Sequence, residues 1–322
     1  MESAELKKLR LYSIRELERL LGAPRSEISD VASLAGQYYR PFSQAKKPKP
    51  FQKAPVSSKL RPIDNPIGKL KVFQRRINRR ILRNVDYPAY LCAGISGRSL
   101  LDNARIHISN PVLVTLDIRN FFPSVSNIQV YNVWRKVLDC SPRIAKALTK
   151  LTTFERHLPQ GAPTSTLLAN LVLFSVDGVI REECLSCGVR YSTWVDDLAF
   201  SGKHARGVIG VAIKVLSRAG FSVSHKKMQV MGAGDRKVLN GLLLGEKPGV
   251  LPQRLSNLRS GIHKLRTGKI PHGLQESYVR SLRGGINFVG LISQDKARPL
   301  HEELDDCLIA LHNNQETAQI CT

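Results

Sequence analysis

Residues 189–202 read Val-Arg-Tyr-Ser-Thr-Trp-Val-Asp-Asp-Leu-Ala-Phe-Ser-Gly, and no other stretch limits the fold of this chain as tightly. Two short apolar or aromatic runs, Tyr191–Trp194 and Leu198–Phe200, flank Val195-Asp196-Asp197. That pattern predicts an antiparallel hairpin with adjacent carboxylates at its bend. Aspartate suits turn geometry, so two acids in an exposed bend are ordinarily structural. A second segment changes the reading. Val112-Leu-Val-Thr-Leu116 is a buried-strand candidate, and it runs straight into Asp117 in Leu116-Asp-Ile-Arg-Asn-Phe-Phe-Pro-Ser124. A strand ending in an acid beside a hairpin carrying two more gathers three carboxylates in one place.

That cluster sits in a chain of 322 residues with 49 Lys+Arg, 26 Asp+Glu and a formal net charge of +23. Grouped carboxylates are costly unless cations neutralise them, and oxygen-only ligands favour hard ions such as Mg2+. Two such ions about 3.5–4 Å apart can activate an attacking hydroxyl and stabilise a pyrophosphate leaving group. Acid–base hydrolysis is the weaker alternative, because no nearby sequence supplies a paired histidine or a nucleophile with its base. The hydrophobic share of 42% is normal for a packed core, so disorder does not explain the charge. The surplus points to a polyanionic partner. No run of 18 apolar residues exists and Met1–Arg10 is charged, which disfavours an integral membrane or a secreted protein. Six sparse cysteines fit a reducing cytosol, and Cys184-Leu-Ser-Cys187, lacking a second pair, reads as turn and core cysteines.

The charge is unevenly spread. Arg40–Arg83 holds 14 Lys or Arg and a single acid, Asp64; Arg254–Arg298 holds nine against Glu276 and Asp295. The first run opens on a Pro/Lys-rich stretch suited to an extended, solvated segment. It closes on residues 69–82, where Leu70, Phe73, Ile77 and Ile81 make one apolar helix face. Two basic runs around a near-neutral middle are expected as two walls of a nucleic-acid cleft. The organisation expected is a helical lead-in over 1–40, a mixed strand-and-helix region over 41–250, and a small helical domain over 251–322. In the last, helices are predicted at 253–267, 274–291 and 299–313; a further helix is predicted over 164–184.

Trp194-Val-Asp-Asp197 resembles the Tyr-x-Asp-Asp box of reverse transcriptases, and Leu116–Ser124 resembles their first catalytic aspartate motif. Between them, Leu158-Pro-Gln-Gly-Ala-Pro-Thr-Ser165 is similar to the family's Leu-Pro-Gln-Gly signature. Arg61-Pro-Ile-Asp-Asn-Pro66 with Lys69–Gln74 resembles its fingers motif, and all four occur in the family's order over roughly residues 35–290. The resemblance implies an α+β right-hand polymerase fold, with fingers and palm over 41–250 and a helical thumb over 251–322. It implies an RNA-directed DNA polymerase using two Mg2+ ions, for which Mn2+ can substitute. Asp117 and Asp196 would bridge the ions, Asp197 would complete the site, and the Ile118 carbonyl would be a further ligand. Phe122 would lie under the incoming sugar and exclude a 2′-hydroxyl, or else simply pack in the core. Gln160 would contact the incoming dNTP. Arg61 and Lys59 would clamp its triphosphate, or line the channel. Lys227, after Phe221-Ser-Val-Ser224, would stabilise charge at the pyrophosphate or remain a solvated lysine. Trp194 departs from the usual tyrosine, keeping bulk and changing the hydrogen-bonding end.

Asn103-Ala-Arg-Ile-His107 resembles the Asn-Ala-x-x-His element of retron reverse transcriptases, which copy a structured noncoding RNA into multicopy single-stranded DNA. Asn103 and His107 would make hydrogen bonds to RNA or to the fold, His107 in the second case being a buried structural histidine. Where retron enzymes carry Val-Thr-Gly, this chain reads Val238-Leu-Asn-Gly241, so Asn240 and Gly241 mark a variant RNA-recognition surface. The compact length, with no maturase, endonuclease or ribonuclease H sequence following, fits the retron type. The resemblance further implies priming from a guanosine 2′-hydroxyl of its own RNA and a cytoplasmic antiphage role with a separate effector protein. Arg254, Arg259, Lys264, Arg266 and Lys269 of the thumb would hold an RNA-containing duplex by its phosphates. Alternatives are a diversity-generating, abortive-infection or group II intron-like reverse transcriptase, or a catalytically silent RNA-binding scaffold.

Overall fold

The hairpin and the acid-ended strand pair in one antiparallel sheet. They do so in a computed structural model that describes Leu6, residues 8–45 and residues 60–320; at His272 and 312–320 only the helix is described, not the side chains. The chain divides into a first unit, up to Gln44 and from Arg61 to Lys237, and a second from Val238 onward, with which Ala45 and Leu60 are grouped.

The first unit opens with α1 (Ile14–Leu21) and α2 (Arg25–Ser33), then β1 (Tyr39–Ala45), β2 (Leu60–Pro66) and α3 (Gly68–Arg80). The start of the expected extended segment thus lies in β1, which pairs with β2; the lysines at 46–59, Lys59 included, lie outside the described residues. Leu70, Phe73 and Ile77 of α3 are buried, as its period predicts, and they share a core with Leu17 and Leu21 of α1. The basic face of α3 is not wholly free for a partner. Arg80 donates to the Leu20 carbonyl at 2.9 Å and Arg76 to those of Leu21 and Gly22, so two guanidiniums cap the C-terminus of α1.

Next come α4 (Leu100–His107), β3 (Leu113–Asp117), α5 (Phe121–Ser124), α6 (Asn127–Asn132) and α7 (Pro142–Thr152). They are followed by α8 (Ser165–Val176), α9 (Gly178–Ser186), β4 (Arg190–Trp194), β5 (Asp197–Ser201), α10 (Val208–Arg218) and β6 (Gln229–Met231). The sheet order is β4-β5-β3-β6, antiparallel throughout. Helix α8 is buried nearly all round, as an apolar core helix must be. The single helix expected over 164–184 is broken at Asp177. Its buried carboxylate accepts from Tyr90 Oη (3.1 Å), Tyr191 Oη (3.2 Å) and Arg181 Nε (2.8 Å), and holding it there interrupts the helix between α8 and α9. Burial drives the Asp177 pKa up, while Arg181 and the tyrosines act against it. Cys184 is a buried residue of α9 and Cys187 follows its last turn.

The second unit holds β7 (Val238–Leu239), β8 (Leu242–Leu244), β9 (Pro248–Val250), α11 (Pro252–Arg266), α12 (His272–Ile292) and α13 (Gln294–Ile320). Leu258, Ile262, Leu265, Leu282, Ile286, Val289, Leu300 and Leu304 form its core, and Val250 of β9 is in that core too. The small sheet therefore groups with the helices, although its residues precede the boundary drawn from sequence. Helix α13 starts at Gln294, five residues before the start expected at 299, and runs through Pro299. Among the described residues no helix is long and apolar enough to cross a membrane.

Candidate active site

Strand register brings the three aspartates together. Asp117, last residue of β3, lies directly opposite Asp197, first residue of β5, while Trp194 of β4 faces Asp197 from the other side. The two-residue bend is Val195-Asp196, and the Ile118 amide donates to the Asp196 carbonyl at 2.9 Å, fastening the bend to the strand that carries Asp117. Val195 has φ +58°, a left-handed conformation that a β-branched residue adopts only at a cost of order 1–3 kcal/mol. Glycine would form this bend without strain. A held, strained bend keeps Asp196 beside Asp117 and Asp197.

Directly opposed like charges destabilise a sheet, and the acids register this. Burial first, then the charges of Asp196 and Asp117, push the Asp197 pKa up to about 6, with Lys227 opposing. Burial and Asp117 likewise raise that of Asp196; its own backbone, Lys227 and Arg61 pull it down. The cation that answers the cluster is Lys227, whose Nζ donates to Asp117 Oδ2 at 2.7 Å. Its placement follows from the backbone. Residues 222–224 extend β3 through Arg119 N–H to Ser222 O and Ser224 N–H to Asp117 O, both 2.8 Å, and the chain turns over Lys227 before pairing again as β6.

Other expected residues surround this sheet end. Arg61, exposed on β2, is close enough to bias Asp196 electrostatically. Phe122 is half-buried on α5, five residues past Asp117, and its ring packs near that of Phe121 at 6.0 Å between centroids. Gln160 is half-buried in the loop before α8, and its backbone is tied to Asp64 of β2. Lys59 lies outside the described residues.

Asn103 and His107 are not at an RNA-accessible surface. They are 1% and 0% exposed, and the Asn103 amide oxygen and both His107 ring nitrogens have partners inside the protein. His107 Nδ1 and Nε2 lie 2.8 and 2.7 Å from the hydroxyls of Ser201 and Ser192, and Ser192 Oγ donates to Asn103 Oδ1 at 2.6 Å. The Asn-Ala-x-x-His element thereby fastens α4 to both strands of the hairpin that carries Asp196 and Asp197, so the expected RNA contact gives way to the buried alternative. Burial drives the His107 pKa down to about 3, with Arg190 adding to the effect. In the second unit Asn240 and Gly241 form the two-residue bend between β7 and β8, both at positive φ (+49° and +80°), which is what Asn-Gly does best. Turn chemistry therefore accounts for both residues. Arg254 stacks on the Phe288 ring at 4.4 Å and is half-buried, whereas Arg259, Arg266 and Lys269 are exposed and Lys264 half-buried. Sequence reasoning missed Ser192, Ser201, Asp64 and His157 as supporting groups. Only the lone acid in the basic run, Asp64, left a trace in the sequence.

Residues 45–250 match the family model described as reverse transcriptase (RNA-dependent DNA polymerase). The chain therefore belongs to the reverse transcriptase family, and its mixed sheet-and-helix architecture is that of a right-hand polymerase. Among the proteins it resembles are reverse transcriptases of retrons. It is 31% identical to the retron Se72 reverse transcriptase of Salmonella heidelberg over 59% of this chain and 48% of that one, so it spans about half the length of that relative. It is 27% identical to the retron Ec86 reverse transcriptase of Escherichia coli over 77% of each chain. It is 25% identical to the retron Mx65 reverse transcriptase of Myxococcus xanthus over 93% of this chain and 79% of that one.

Reverse transcriptases normally use divalent metal ions. Among the described residues no three His, Cys, Asp or Glu side chains close into a ready-made cage. The donor set nevertheless fits: three carboxylates share one sheet end, two have raised pKa values, and the Lys227 ammonium holds the third as a stand-in cation.

Proposed function

We propose that this protein is an RNA-directed DNA polymerase of a retron, copying a structured noncoding RNA into multicopy single-stranded DNA primed from a 2′-hydroxyl of that RNA. The observation that carries the polymerase reading is the register that sets Asp117 opposite Asp197 with Asp196 at the strained bend. The retron assignment rests on the relatives. A catalytically silent scaffold is disfavoured, because a silent protein has no use for clustered, mutually repelling carboxylates.

Asp117, Asp196 and Asp197, with the Ile118 carbonyl, would hold Mg2+. Bound there, Mg2+ would lower the cost of deprotonating the primer hydroxyl and offset charge on the leaving pyrophosphate. In the reaction the primer oxygen would bond the α-phosphorus of a dNTP, its proton passing to solvent water, as the bond from that phosphorus to pyrophosphate breaks. Lys227, released from Asp117, is free to face that leaving group, and Arg61 approaches from β2 to grip the triphosphate. Gln160 would meet the nucleotide, and the half-exposed ring of Phe122 would crowd a 2′-hydroxyl. Arg259, Lys264, Arg266 and Lys269 of the second unit, and Arg254 where its guanidinium edge is free, would hold the duplex by phosphates, with that unit as thumb. An antiphage role with a separate effector protein, in the cytoplasm, completes the proposal.

The test is to sequence nucleic acid copurifying from expressing cells and to supply the purified complex with dNTPs and Mg2+. A short DNA covalently joined to an internal RNA guanosine is the expected product. DNA templated by a variable-repeat region would favour a diversity-generating enzyme, and RNA without DNA would favour the scaffold.

A further inference from the structure

The single acid in the basic run, Asp64, has a place that its sequence context does not explain. It lies on β2, three residues after Arg61, and is nearly buried. Its amide donates to the Gln160 carbonyl at 2.8 Å, and its carboxylate Oδ2 accepts from the Gln160 amide at 3.2 Å. One residue thus takes both backbone polar groups of Gln160. The same Oδ2 lies 3.2 Å from His157 Nε2, on the opposite limb of the loop. The Gln160 side chain makes no hydrogen bond among the described residues and is left to meet a ligand.

The rest of the loop is built to hold this posture. Leu158 N–H donates to Val125 O at 2.9 Å, Ser165 Oγ to Pro159 O at 2.6 Å, and Asn78 Nδ2 to the Pro163 carbonyl. Gly161 has φ +112°, and a Cβ there would stand 2.9 Å from Ile63 Cγ2 of β2. The loop is therefore pressed against β2 closely enough to require glycine. A loop fastened at four residues with one free amide side chain is preorganised for contact.

We infer that Asp64 is a positioning residue for nucleotide selection: it fixes the Gln160 backbone so that the Gln160 amide and the Arg61 guanidinium present a preset spacing to an incoming dNTP. The inference rests on the polymerase reading and deepens it. Asp64 itself touches no substrate; it acts through Gln160. The single oxygen Oδ2 serves both contacts, since a carboxylate oxygen can accept from an amide N–H and a histidine N–H at once.

The experiment is single-nucleotide incorporation on an RNA template with wild type, Asp64→Ala, Asp64→Asn, Gln160→Ala and the Asp64→Ala/Gln160→Ala pair, with thermal unfolding of each. Asp64→Ala should raise the dNTP KM about tenfold with kcat within about twofold. Asp64→Asn, which keeps an acceptor oxygen, should recover most of that. In the Gln160→Ala background, Asp64→Ala should add less than about twofold. If Asp64→Ala unfolds below assay temperature, Asp64→Ser, too short to reach the Gln160 amide, takes its place. An unchanged KM, or an equal rise with and without the Gln160 side chain, overturns the inference while leaving the polymerase reading intact. A wild-type protein that makes no DNA overturns both.

Discussion

Replacing Asp197 by Asn should stabilise the fold in the absence of divalent metal while abolishing DNA synthesis. The carboxylate stands directly opposite Asp117 and beside Asp196, and burial with those charges lifts its pKa from 3.8 to about 6. Ionising it at neutral pH therefore costs the folded state about 3 kcal/mol at face value. The side chain is partly exposed, and solvent screening reduces that to about 1–2 kcal/mol. At about 2–4 °C per kcal/mol for a domain of this size, Asp197→Asn should gain roughly 2–8 °C in Tm. The sign with pH is fixed by the same shift. A folded pKa above the unfolded one means that the group favours folding when protonated, and that this contribution is lost as pH rises from 3.8 through 6. The Tm advantage of Asp197→Asn should therefore be near zero at pH 4 and full by pH 7. Thermal unfolding in chelator across that range reads it directly. Adding Mg2+ should raise the wild-type Tm more than that of the variant, since an ion that binds only the folded site stabilises it. A variant no more stable than wild type at pH 7, or a gain that does not vary with pH, would refute the reasoning.

Other outcomes follow from named contacts. His107 is held neutral in the core with its pKa near 3, below its unfolded value, so its contribution to stability is complete above pH 6.5 and lost as pH falls. Wild type should lose about 2 kcal/mol to this residue between pH 7 and pH 5, and His107→Gln should flatten that part of the urea-midpoint profile. Phe122→Ala should raise rNTP incorporation relative to dNTP; an unchanged ratio measured on an RNA template would reject the steric gate. Binding to RNA duplex should weaken steeply between low and moderate salt, as counterion release requires, and a flat response in filter binding would contradict phosphate-dominated contact.

The sheet end that gathers the three aspartates was legible because its signals are local and strict. Two runs around Val195-Asp196-Asp197 specify a hairpin, and a buried strand ending at Asp117 specifies where an acid is delivered. The cross-strand pairing itself was not written locally; it depends on register, which the structure supplies as Asp117 opposite Asp197. The helix break at Asp177 escaped because residues far apart in sequence, Tyr90 and Tyr191, impose it. Polar residues were hardest to place. Asn103 and His107 look alike in sequence whether they face RNA or a buried pair of serines, and only the partners Ser192 and Ser201 decide. Arg76 and Arg80 belong to the basic run expected to wall a nucleic-acid cleft, yet both donate to carbonyls at the end of α1, contacts that the run's composition does not reveal.

If the proposed function holds, the three aspartates at the end of this sheet carry out RNA-templated DNA synthesis. Primer extension on an RNA template with dNTPs and Mg2+ tests it most directly, comparing wild type with Asp196→Ala checked for retained folding and RNA binding. The wild type should make DNA and the variant none, at equal RNA affinity. DNA made by Asp196→Ala at the wild-type rate would contradict it.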